Sequence, residues 1–346
     1  MKREKVVVGL SGGVDSSVAA LLLKDRGYEV IGVTMKTWDG AECVIEDAER
    51  VANYLEIPFH VLDFRKEFQH YVVDYFTEEY LHGRTPNPCV ICNRHVKWEA
   101  LLNRSREFGA DLVATGHYAR VEKLPSGRYA VRSSVTAAKD QTYALYNLTQ
   151  AQLSRTIMPV GEFEKEKIRQ IAREAGIPVA EKPDSQEICF IPDQDYAGFI
   201  KQYTGKTVLP GNFVDKSGNV LGTHKGIIHY TVGQRKGLNL AMGRPVFVTE
   251  IRPETNEVVI GDSEDVFTKS LLCSKLNWMA ADGLHGTRQR FLAKIRYAHR
   301  GTLCTVEEVG EDCVQCVFDE PVRAVTPGQA VVFYQGDWVA GGGIIQ

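Results

Sequence analysis

Residues 6–16 read VVVGLSGGVDS, an apolar run that enters a glycine-rich loop. The run predicts a buried strand, and Asp15–Arg26 predicts a helix, with Asp15 and Ser16 as its caps and Gly27 as its stop. The glycines let backbone N–H groups approach a phosphate at the positive end of the helix. The loop is neither a Walker A motif nor a dinucleotide fingerprint. An ordinary strand-to-helix turn is the alternative, but strand, loop, caps and helix together favour phosphate binding.

The composition is typical of a globular protein with more than one domain. Its 346 residues exceed what one hydrophobic core usually serves, so we expect two or three domains. No apolar run approaches the roughly 20 residues of a membrane span, and residues 1–5 are unlike the start of a signal peptide. We therefore expect a cytoplasmic protein with no membrane partner.

Strand-like and helix-like segments alternate through the first part of the chain. The predicted strands are 5–10, 29–35, 59–62 and 112–115, and the predicted helices are 15–26, 46–55, 64–81, 95–108 and 165–175. This alternation predicts an α/β fold with a doubly wound parallel sheet. Its ligand site should lie at the carboxyl ends of the strands, where the glycine-rich loop begins.

The second part of the chain has a different pattern. From about Gly205 short strand-like runs are separated by glycine turns, and another block of such runs follows residues 261–262. This spacing predicts a small β-rich middle domain and a C-terminal β-barrel. We therefore expect the domains to span residues 1–204, 205–266 and 267–346.

The charged residues are unevenly placed, although the formal net charge is only −3. Neither residues 220–249 nor residues 283–306 contain an acidic side chain. The basic residues of these two stretches are Lys225, Arg235, Lys236, Arg244, Arg288, Arg290, Lys294, Arg296 and Arg300. Two such stretches in an acidic chain predict a local surface for a polyanion.

The chain has eight cysteines, which in a cytoplasmic protein indicate redox, metal-binding or nucleophilic groups besides ordinary buried thiols. Cys89 and Cys92 form a Cys-x-x-Cys pair just before the predicted helix 95–108. A thiol beside a helix N-terminus has a lowered pKa, which makes Cys92 a candidate nucleophile. Cys313 and Cys316 are expected to be structural, because their spacing in a strand puts them on opposite faces.

Six motifs along the chain together resemble one family. They are SGGVDS at 11–16, GRTPNPCVICN at 83–93, ATGHY at 114–118, KDQTY at 139–143, DSQEICF at 184–190 and TVGQRKG at 231–237. In this order they resemble the bacterial tRNA-uridine 2-sulfurtransferases, which belong to the PP-loop ATP pyrophosphatases. The resemblance covers essentially the whole chain.

The resemblance implies a sulfurtransferase that uses ATP and Mg²⁺. The residues expected to bind ATP are Gly9, Leu10, Ser11, Gly12, Gly13, Val14, Asp15 and Ser16 in the loop, with Met35 and Gly116 lining the adenosine. The implied reaction adenylates the C2 oxygen of the wobble uridine, position 34 of a tRNA. Sulfur then replaces that oxygen, which gives 2-thiouridine, AMP and pyrophosphate.

The resemblance also assigns roles to cysteines and to tRNA contacts. Cys92 matches the nucleophile that carries or delivers the sulfur, and Cys189 matches the partner that releases sulfide and is left disulfide-bonded to Cys92. The expected tRNA contacts are Asn87, Pro88 and Cys89 around the flipped base, with His117, Lys139, Asp140, Gln141, Arg296, Tyr297 and Gln329 elsewhere. The sulfur would come from a donor such as a cysteine desulfurase or a sulfur-relay protein.

Cys89 stands where many members of the family have Asp, so the acid–base role assigned to that Asp is open here. Cys89, Cys92 and Cys189 could instead hold an iron–sulfur cluster, a [4Fe-4S] centre with one open iron. Two other functions also stay open. An amide-forming PP-loop ligase would leave the placed cysteines unexplained, and a non-catalytic cluster- or RNA-binding protein would leave the loop unexplained.

Overall fold

The structure is a computed structural model that describes residues 3–40, 42–184 and 188–346. In chain order the strands are β1 Lys5–Gly9, β2 Glu29–Lys36, β3 Phe59–Asp63, β4 Leu112–Ala114, β5 Ala119–Lys123, β6 Tyr129–Ser133, β7 Thr156–Ile157, β8 Gly211–Val214, β9 Val220–His224, β10 Phe247–Arg252, β11 Glu257–Gly261, β12 Phe267–Trp278, β13 Gln289–Lys294, β14 Thr302–Gly310, β15 Cys313–Arg323, β16 Ala330–Gln335 and β17 Trp338–Ile345. The α-helices are α1 Val14–Asp25, α2 Glu42–Tyr54, α3 Arg65–Phe68, α4 Tyr75–Leu81, α5 Pro88–Cys92, α6 Leu101–Ser105, α7 Thr142–Leu145, α8 Gln150–Leu153, α9 Lys165–Glu174 and α10 Tyr196–Thr204.

A parallel sheet with the strand order β3-β2-β1-β4-β7 forms the centre of the N-terminal domain. Consecutive side chains of β1 face opposite sides of this sheet. Val7 lies in one core with Trp98, whereas Val6 and Val8 lie in a second core with Val18. Because helices cover both faces, the strand is apolar throughout, as a doubly wound sheet requires. The predicted α/β fold class is confirmed.

The predicted helices 64–81 and 95–108 each contain a π-helical segment. Gln69–Asp74 joins α3 to α4, and Asn93–Ala100 joins α5 to α6. The predicted start of the second helix was wrong, since the helix begins earlier, at Pro88. Proline suits the first helical position, and the Asn87 side chain caps the helix by accepting the Cys89 N–H at 3.2 Å.

The rest of the chain forms two antiparallel-rich β structures, as predicted. A four-stranded sheet in the order β10-β11-β8-β9 forms the middle domain. In the C-terminal domain the strands run β12-β15-β14-β13-β16-β17, and pairing of β12 with β17 closes them into a barrel. The hairpin β5–β6 from the first part of the chain pairs with β17, which ties the N-terminal domain to the barrel. The exact domain boundaries stay predictions.

Within the residues that the structure describes, no helix combines the length and the apolar character needed to cross a membrane.

Candidate functional site

The glycine-rich loop joins β1 to α1 and is shaped by its own serines. The Ser11 N–H donates to the Ser16 hydroxyl at 3.1 Å, and that hydroxyl donates to the Gly13 carbonyl at 3.2 Å. Gly12 has a φ of +62°, and a Cβ there would lie 2.8 Å from the Val44 carbonyl oxygen. At Gly13, by contrast, the nearest described atom to an added Cβ is the Ser11 hydroxyl, 3.5 Å away. The loop therefore leaves room for a ligand above Gly13.

Neither Asp15 nor Ser16 caps α1, so that prediction was wrong. The helix begins after Gly13 with no side-chain cap from the described residues. The Asp15 carboxylate instead accepts the Lys165 ammonium at 2.7 and 2.9 Å and the Tyr118 hydroxyl at 2.7 Å. Lys165 is only 6% exposed, so its charge requires a counter-ion, and this requirement determines where the Asp15 side chain lies.

A second carboxylate, Asp184, completes an ion network beside the loop. Its oxygens lie 2.9 Å from the Lys165 ammonium and 2.8 Å from the Lys139 ammonium, and the Arg169 guanidinium lies at 2.9 Å. Burial raises the pKa of Asp184, but the hydrogen bonds from Lys139 and Lys165 outweigh burial and lower the pKa to about 2. Asp184 is therefore an anion at neutral pH.

The site contains three cationic side chains that were not predicted from the sequence: Lys165, Arg169 and Lys182. Lys182 Nζ donates to the Gly12 carbonyl at 3.1 Å and pairs with Asp47 at 2.6 Å. Lys165 is the first residue of α9, where the helix dipole disfavours a cation that has no partner. That position was the one available signal in the sequence.

The other predicted nucleotide-binding residues surround the loop. A Cβ on Gly9 would lie 3.9 Å from Met35 Cε, so this methionine lies beside the end of β1. A Cβ on Gly116 would lie 2.5 Å from the Ser16 backbone nitrogen, so only glycine lets this turn pack on the start of α1. The two buried apolar residues of the loop are Leu10 and Val14. The structure thus brings the predicted set together.

The three candidate cysteines lie near one another. Cys89 and Cys189 are exposed, whereas Cys92 is 8% exposed and belongs to the core under the sheet. A negative charge on Cys189 or Cys89 would raise the pKa of Cys92, and a negative charge on Cys89 would raise the pKa of Cys189. The three thiols are therefore close enough to interact electrostatically. Residues 185–187 of the DSQEICF motif lie outside the described residues.

Cys92 does not have the lowered pKa that the sequence predicted. It lies at the end of α5 inside a continuous helix, away from the helix N-terminus. Burial raises its pKa to about 12, and dense surroundings raise the pKa of Cys189 to about 11 although that side chain reaches the surface. The Lys97 ammonium lowers both pKa values by less than burial raises them. Both groups are therefore thiols at neutral pH in the free protein.

His117 is a neutral imidazole that contacts Thr115 and Trp98. Its Nδ1 lies 2.8 Å from the Thr115 hydroxyl, and its ring centroid lies 5.4 Å from that of Trp98. Burial lowers the pKa of His117 well below its ordinary value, with a smaller contribution from Lys97. His117 can therefore exchange hydrogen bonds with a base edge but does not offer a positive charge to a phosphate.

The predicted tRNA contacts at residues 139–141 support the local fold in the free protein. Lys139 is held by Asp184, as described above. The Asp140 carboxylate accepts the Thr142 N–H at 3.1 Å, and the Gln141 side-chain oxygen accepts the Tyr118 N–H at 2.8 Å. These bonds fix the turn that follows β4 against the start of α7.

The predicted contacts in the barrel connect it to the N-terminal domain. The Tyr297 hydroxyl donates to the Asp140 carbonyl at 3.1 Å, and Gln329 Nε2 donates to the Thr85 carbonyl at 2.8 Å. Arg296 donates to a carbonyl within the barrel at 2.8 Å and stays partly exposed. This part of the barrel therefore lies beside residues 83–92, which contain Cys89 and Cys92 and are called the cysteine-bearing loop below.

The two acid-free stretches are partly neutralised by acidic residues from other segments of the chain. The ion pairs are Arg244 with Asp262, Arg288 with Glu307 and Arg290 with Asp319. The basic residues of these stretches without an ion pair to any described carboxylate are Lys225, Arg235, Lys236, Lys294, Arg296 and Arg300. The surface available to a polyanion is therefore narrower than the sequence suggested.

No metal site is preformed among the residues that the structure describes. Across residues 3–40, 42–184 and 188–346, no three Cys, His, Asp or Glu side chains stand in metal-binding geometry. The candidate ligands Cys89, Cys92 and Cys189 therefore form no site for a single metal ion, and the buried Cys92 would have to lose its proton before it could bind iron.

Four of the five remaining cysteines lie on strands of the barrel. Cys273, Cys304 and Cys316 are buried in the barrel core, and Cys313 is half-buried beside them, as expected for structural residues. Cys43 is exposed on α2.

A glycine loop at the carboxyl end of a central parallel strand, with an ion network beside it, defines a nucleotide-binding α/β protein of the PP-loop class. Three family models match the chain: the tRNA methyl transferase HUP domain over residues 4–193, the tRNA methyl transferase PRC-barrel domain over 197–262 and the aminomethyltransferase beta-barrel domain over 268–345.

The chain is similar to proteins of one name. The tRNA-specific 2-thiouridylase MnmA of Lachnoclostridium phytofermentans is 61% identical over 99% of both chains, and that of Clostridioides difficile is 53% identical over 99% of this chain and 98% of the relative. The chain belongs to the tRNA-specific 2-thiouridylase family. Among solved structures, the U34-tRNA thiolase NcsA from Methanococcus maripaludis with its [4Fe-4S] cluster is 18% identical, covering 59% of this chain and 69% of that chain with a TM-score of 0.38. That likeness is too weak to carry an argument about a cluster.

We predict that Gly13→Val abolishes ATP binding without unfolding the protein. The Gly13 backbone has a φ of −111°, which valine tolerates, and the added methyl groups would fill the space left for the pyrophosphate. Gly12→Val is the contrasting variant, because its left-handed φ and the Val44 carbonyl should cost about 1–3 kcal/mol of stability. Calorimetric titration with ATP and thermal unfolding separate the two effects, and normal ATP binding by Gly13→Val would refute the phosphate site.

Proposed function

We propose that the protein is an ATP-dependent sulfurtransferase that converts the wobble uridine of a tRNA, position 34, to 2-thiouridine. The observation that carries this proposal is the presence of a phosphate-sized loop and three neighbouring thiols on one parallel-sheet domain. The relatives named tRNA-specific 2-thiouridylase, matched over nearly their whole length, support the same reaction. Formation of 2-thiouridine and AMP from ATP, tRNA and a sulfur donor tests it directly.

ATP would bind to the loop Gly9–Ser16, with its pyrophosphate over Gly13. The N–H groups at the start of α1 and the ammonium of Lys182 face the phosphates. Asp15 offers the carboxylate oxygens that Mg²⁺ prefers, and bound Mg²⁺ would neutralise charge on the departing pyrophosphate. When Asp15 turns to the metal, Lys165 keeps Asp184 as its counter-ion. The ion network thus allows the exchange without leaving a buried charge unpaired.

The first chemical step activates the base. The C2 oxygen of the extruded uridine attacks the α-phosphorus of ATP, the bond to the bridging oxygen breaks, and pyrophosphate leaves while the N3 proton is released. Asn87, Pro88 and Cys89 at the start of α5 would surround the base, with His117 as a neutral hydrogen-bonding partner. Adenylation replaces a poor oxide leaving group with AMP.

The resemblance implies that Cys92 carries the sulfur and that Cys189 releases it. The exposed fractions of the two side chains favour the opposite roles. A protein donor can reach the exposed Cys189, whereas Cys92 is buried. The terminal sulfur of a Cys189 persulfide would attack C2, and AMP would leave as the C2–O bond breaks. The Cys92 thiolate would then attack the Cys189 sulfur, which frees the thiocarbonyl of 2-thiouridine and leaves a Cys92–Cys189 disulfide. A thiol reductant must reduce this disulfide before the next turnover.

The tRNA would bind across the middle domain and the barrel. Six basic residues of the acid-free stretches have no carboxylate partner among the described residues, and Arg296 lies on the side of the barrel that meets the cysteine-bearing loop. Phosphate contacts from such residues would fix the position of the tRNA, while the cysteine-bearing loop would contact the wobble base itself. The sulfur donor would be a cysteine desulfurase or a sulfur-relay protein that reaches Cys189.

We predict that Cys92→Ser and Cys189→Ser both lose 2-thiouridine formation but keep tRNA-dependent AMP formation. The reason is that oxygen activation and sulfur delivery use different groups. After treatment with a persulfide donor, mass spectrometry should find one added sulfur on Cys189 of the Cys92→Ser variant. Cys313→Ser, which removes a half-buried thiol of the barrel, should behave as wild type. Sulfur found on Cys92 alone would overturn the proposed order.

Cys89 separates the persulfide relay from a cluster mechanism. In the relay Cys89→Ser keeps substantial activity, and the wild type works in air with a persulfide donor. In a cluster mechanism the same variant loses iron, acid-labile sulfide and activity together. We expect the relay, because Cys92 and Cys189 match the two cysteines that the family resemblance assigns to sulfur transfer, and this scheme gives Cys89 no ligand role. Iron and sulfide analysis of anaerobically purified wild type and Cys89→Ser decides between them.

We predict that Arg296→Ala weakens tRNA binding without changing ATP affinity. Loss of one phosphate contact should reduce the slope of the log affinity against log salt by about 0.7 to 0.9. Arg290→Ala is the matched control, because Asp319 already neutralises that guanidinium at 2.6 Å. Binding measured by filter retention over a salt series gives both slopes. Equal slopes for Arg296→Ala and wild type would remove Arg296 from the tRNA surface.

A further inference from the structure

Thr231 opens the TVGQRKG motif at 231–237, which forms a rigid turn, and it has no role in the mechanism above. The Thr231 N–H donates to the Gln234 side-chain oxygen, and the Gln234 N–H donates to the Thr231 carbonyl, both at 3.0 Å. Two backbone hydrogen bonds connect the turn to Val248 of β10. The Gly233 N–H donates to the Val248 carbonyl at 2.8 Å, and the Val248 N–H donates to the Gln234 carbonyl at 2.9 Å. Thr231 therefore has a fixed position in the middle domain.

This turn lies between the other two domains. Gly233 has a φ of +87°, and a Cβ there would lie 2.5 Å from Ala324 Cβ, so the turn packs directly on the barrel. On its other side the Thr231 hydroxyl lies 3.1 Å from the Thr85 hydroxyl. Thr85 belongs to the GRTPNPCVICN segment and precedes by two residues Asn87, which caps the cysteine-bearing helix.

Thr85 also uses its backbone polar groups between domains. Its N–H donates to the Pro327 carbonyl at 2.8 Å, and its carbonyl accepts from Gln329 at 2.8 Å. The barrel thus fixes the Thr85 backbone, and the middle domain contacts its side chain. Any shift at Thr85 passes through Pro86 to the start of α5, where Cys89 lies.

We propose that Thr231 is a positioning residue for thiolation, which holds Thr85 so that the start of α5 stays aligned on the extruded uridine; this rests on the proposed function. One neutral hydrogen bond contributes little to global stability, so the bond matters for alignment rather than for folding. Arg235, which has no described ion-pair partner, lies four residues along the same turn. A tRNA phosphate on Arg235 and the alignment of the loop would therefore share one rigid element.

The test uses two substitutions at one position. Thr231→Val keeps the shape but removes the hydroxyl, and Thr231→Ser keeps the hydroxyl. In the full chain, we expect Thr231→Val to lower kcat for 2-thiouridine formation about three- to tenfold, with KM for tRNA and the unfolding temperature unchanged. Thr231→Ser should restore kcat. Thr223→Val, at an exposed threonine of β9, is the control and should match wild type.

A second measurement follows the loop without turnover. In the free protein, iodoacetamide should alkylate the buried Cys92 faster in Thr231→Val than in wild type, by a similar factor, because the loop opens more often. Thr85→Val combined with Thr231→Val should be no worse than either variant alone, since each removes the same bond.

Three results would overturn the proposal: unchanged kcat and unchanged Cys92 alkylation in Thr231→Val, equal impairment of Thr231→Ser, or additive losses in the double variant. Failure of the wild type to make 2-thiouridine would instead refute the proposed function, and the alkylation rates would still test the contact.

Discussion

The site depends on the ion pairs that the buried Lys165 ammonium forms with two carboxylates. This ammonium lies between Asp15, which belongs to the glycine-rich loop, and Asp184, which precedes Cys189 by five residues. A buried charge requires a partner, and leaving such a charge with none typically costs about 3–5 kcal/mol. One side chain therefore links the segment that would hold ATP to the segment that carries an exposed thiol. The two halves of the proposed reaction cannot be placed independently.

The cysteine-bearing loop depends in the same way on parts of the chain far from it. Gly83 packs against Ile251 of the middle domain, where an added Cβ would lie 2.7 Å from its side chain, and Gly328 of the barrel packs against Thr85. The N-terminal domain alone would leave this loop without its neighbours. The two β domains are therefore part of the catalytic geometry as well as the proposed surface for tRNA.

The features predicted correctly from the sequence are those set by neighbours along the chain. The apolar run of β1, the glycines after it and the strand–helix alternation are local patterns, and they gave the parallel sheet and the position of the loop. The cap at Asp15 was predicted wrongly because its partner Lys165 lies 150 residues away. The basic stretches were likewise free of acids only along the chain, since Asp262, just after β11, and Asp319, on β15, reach Arg244 and Arg290 in the folded protein.

The pKa of Cys92 was beyond sequence reasoning because burial comes from tertiary packing. Because burial raises its pKa to about 12, the Cys92 thiolate is a minor species at neutral pH. In the proposed order this low population is useful. A ready thiolate at Cys92 would cleave a persulfide on Cys189 and release its sulfur before the uridine is adenylated. Under the proposed mechanism, burial would keep Cys92 unreactive until tRNA docking and adenylation change its surroundings, so the packing that buries the nucleophile would also set the order of the steps.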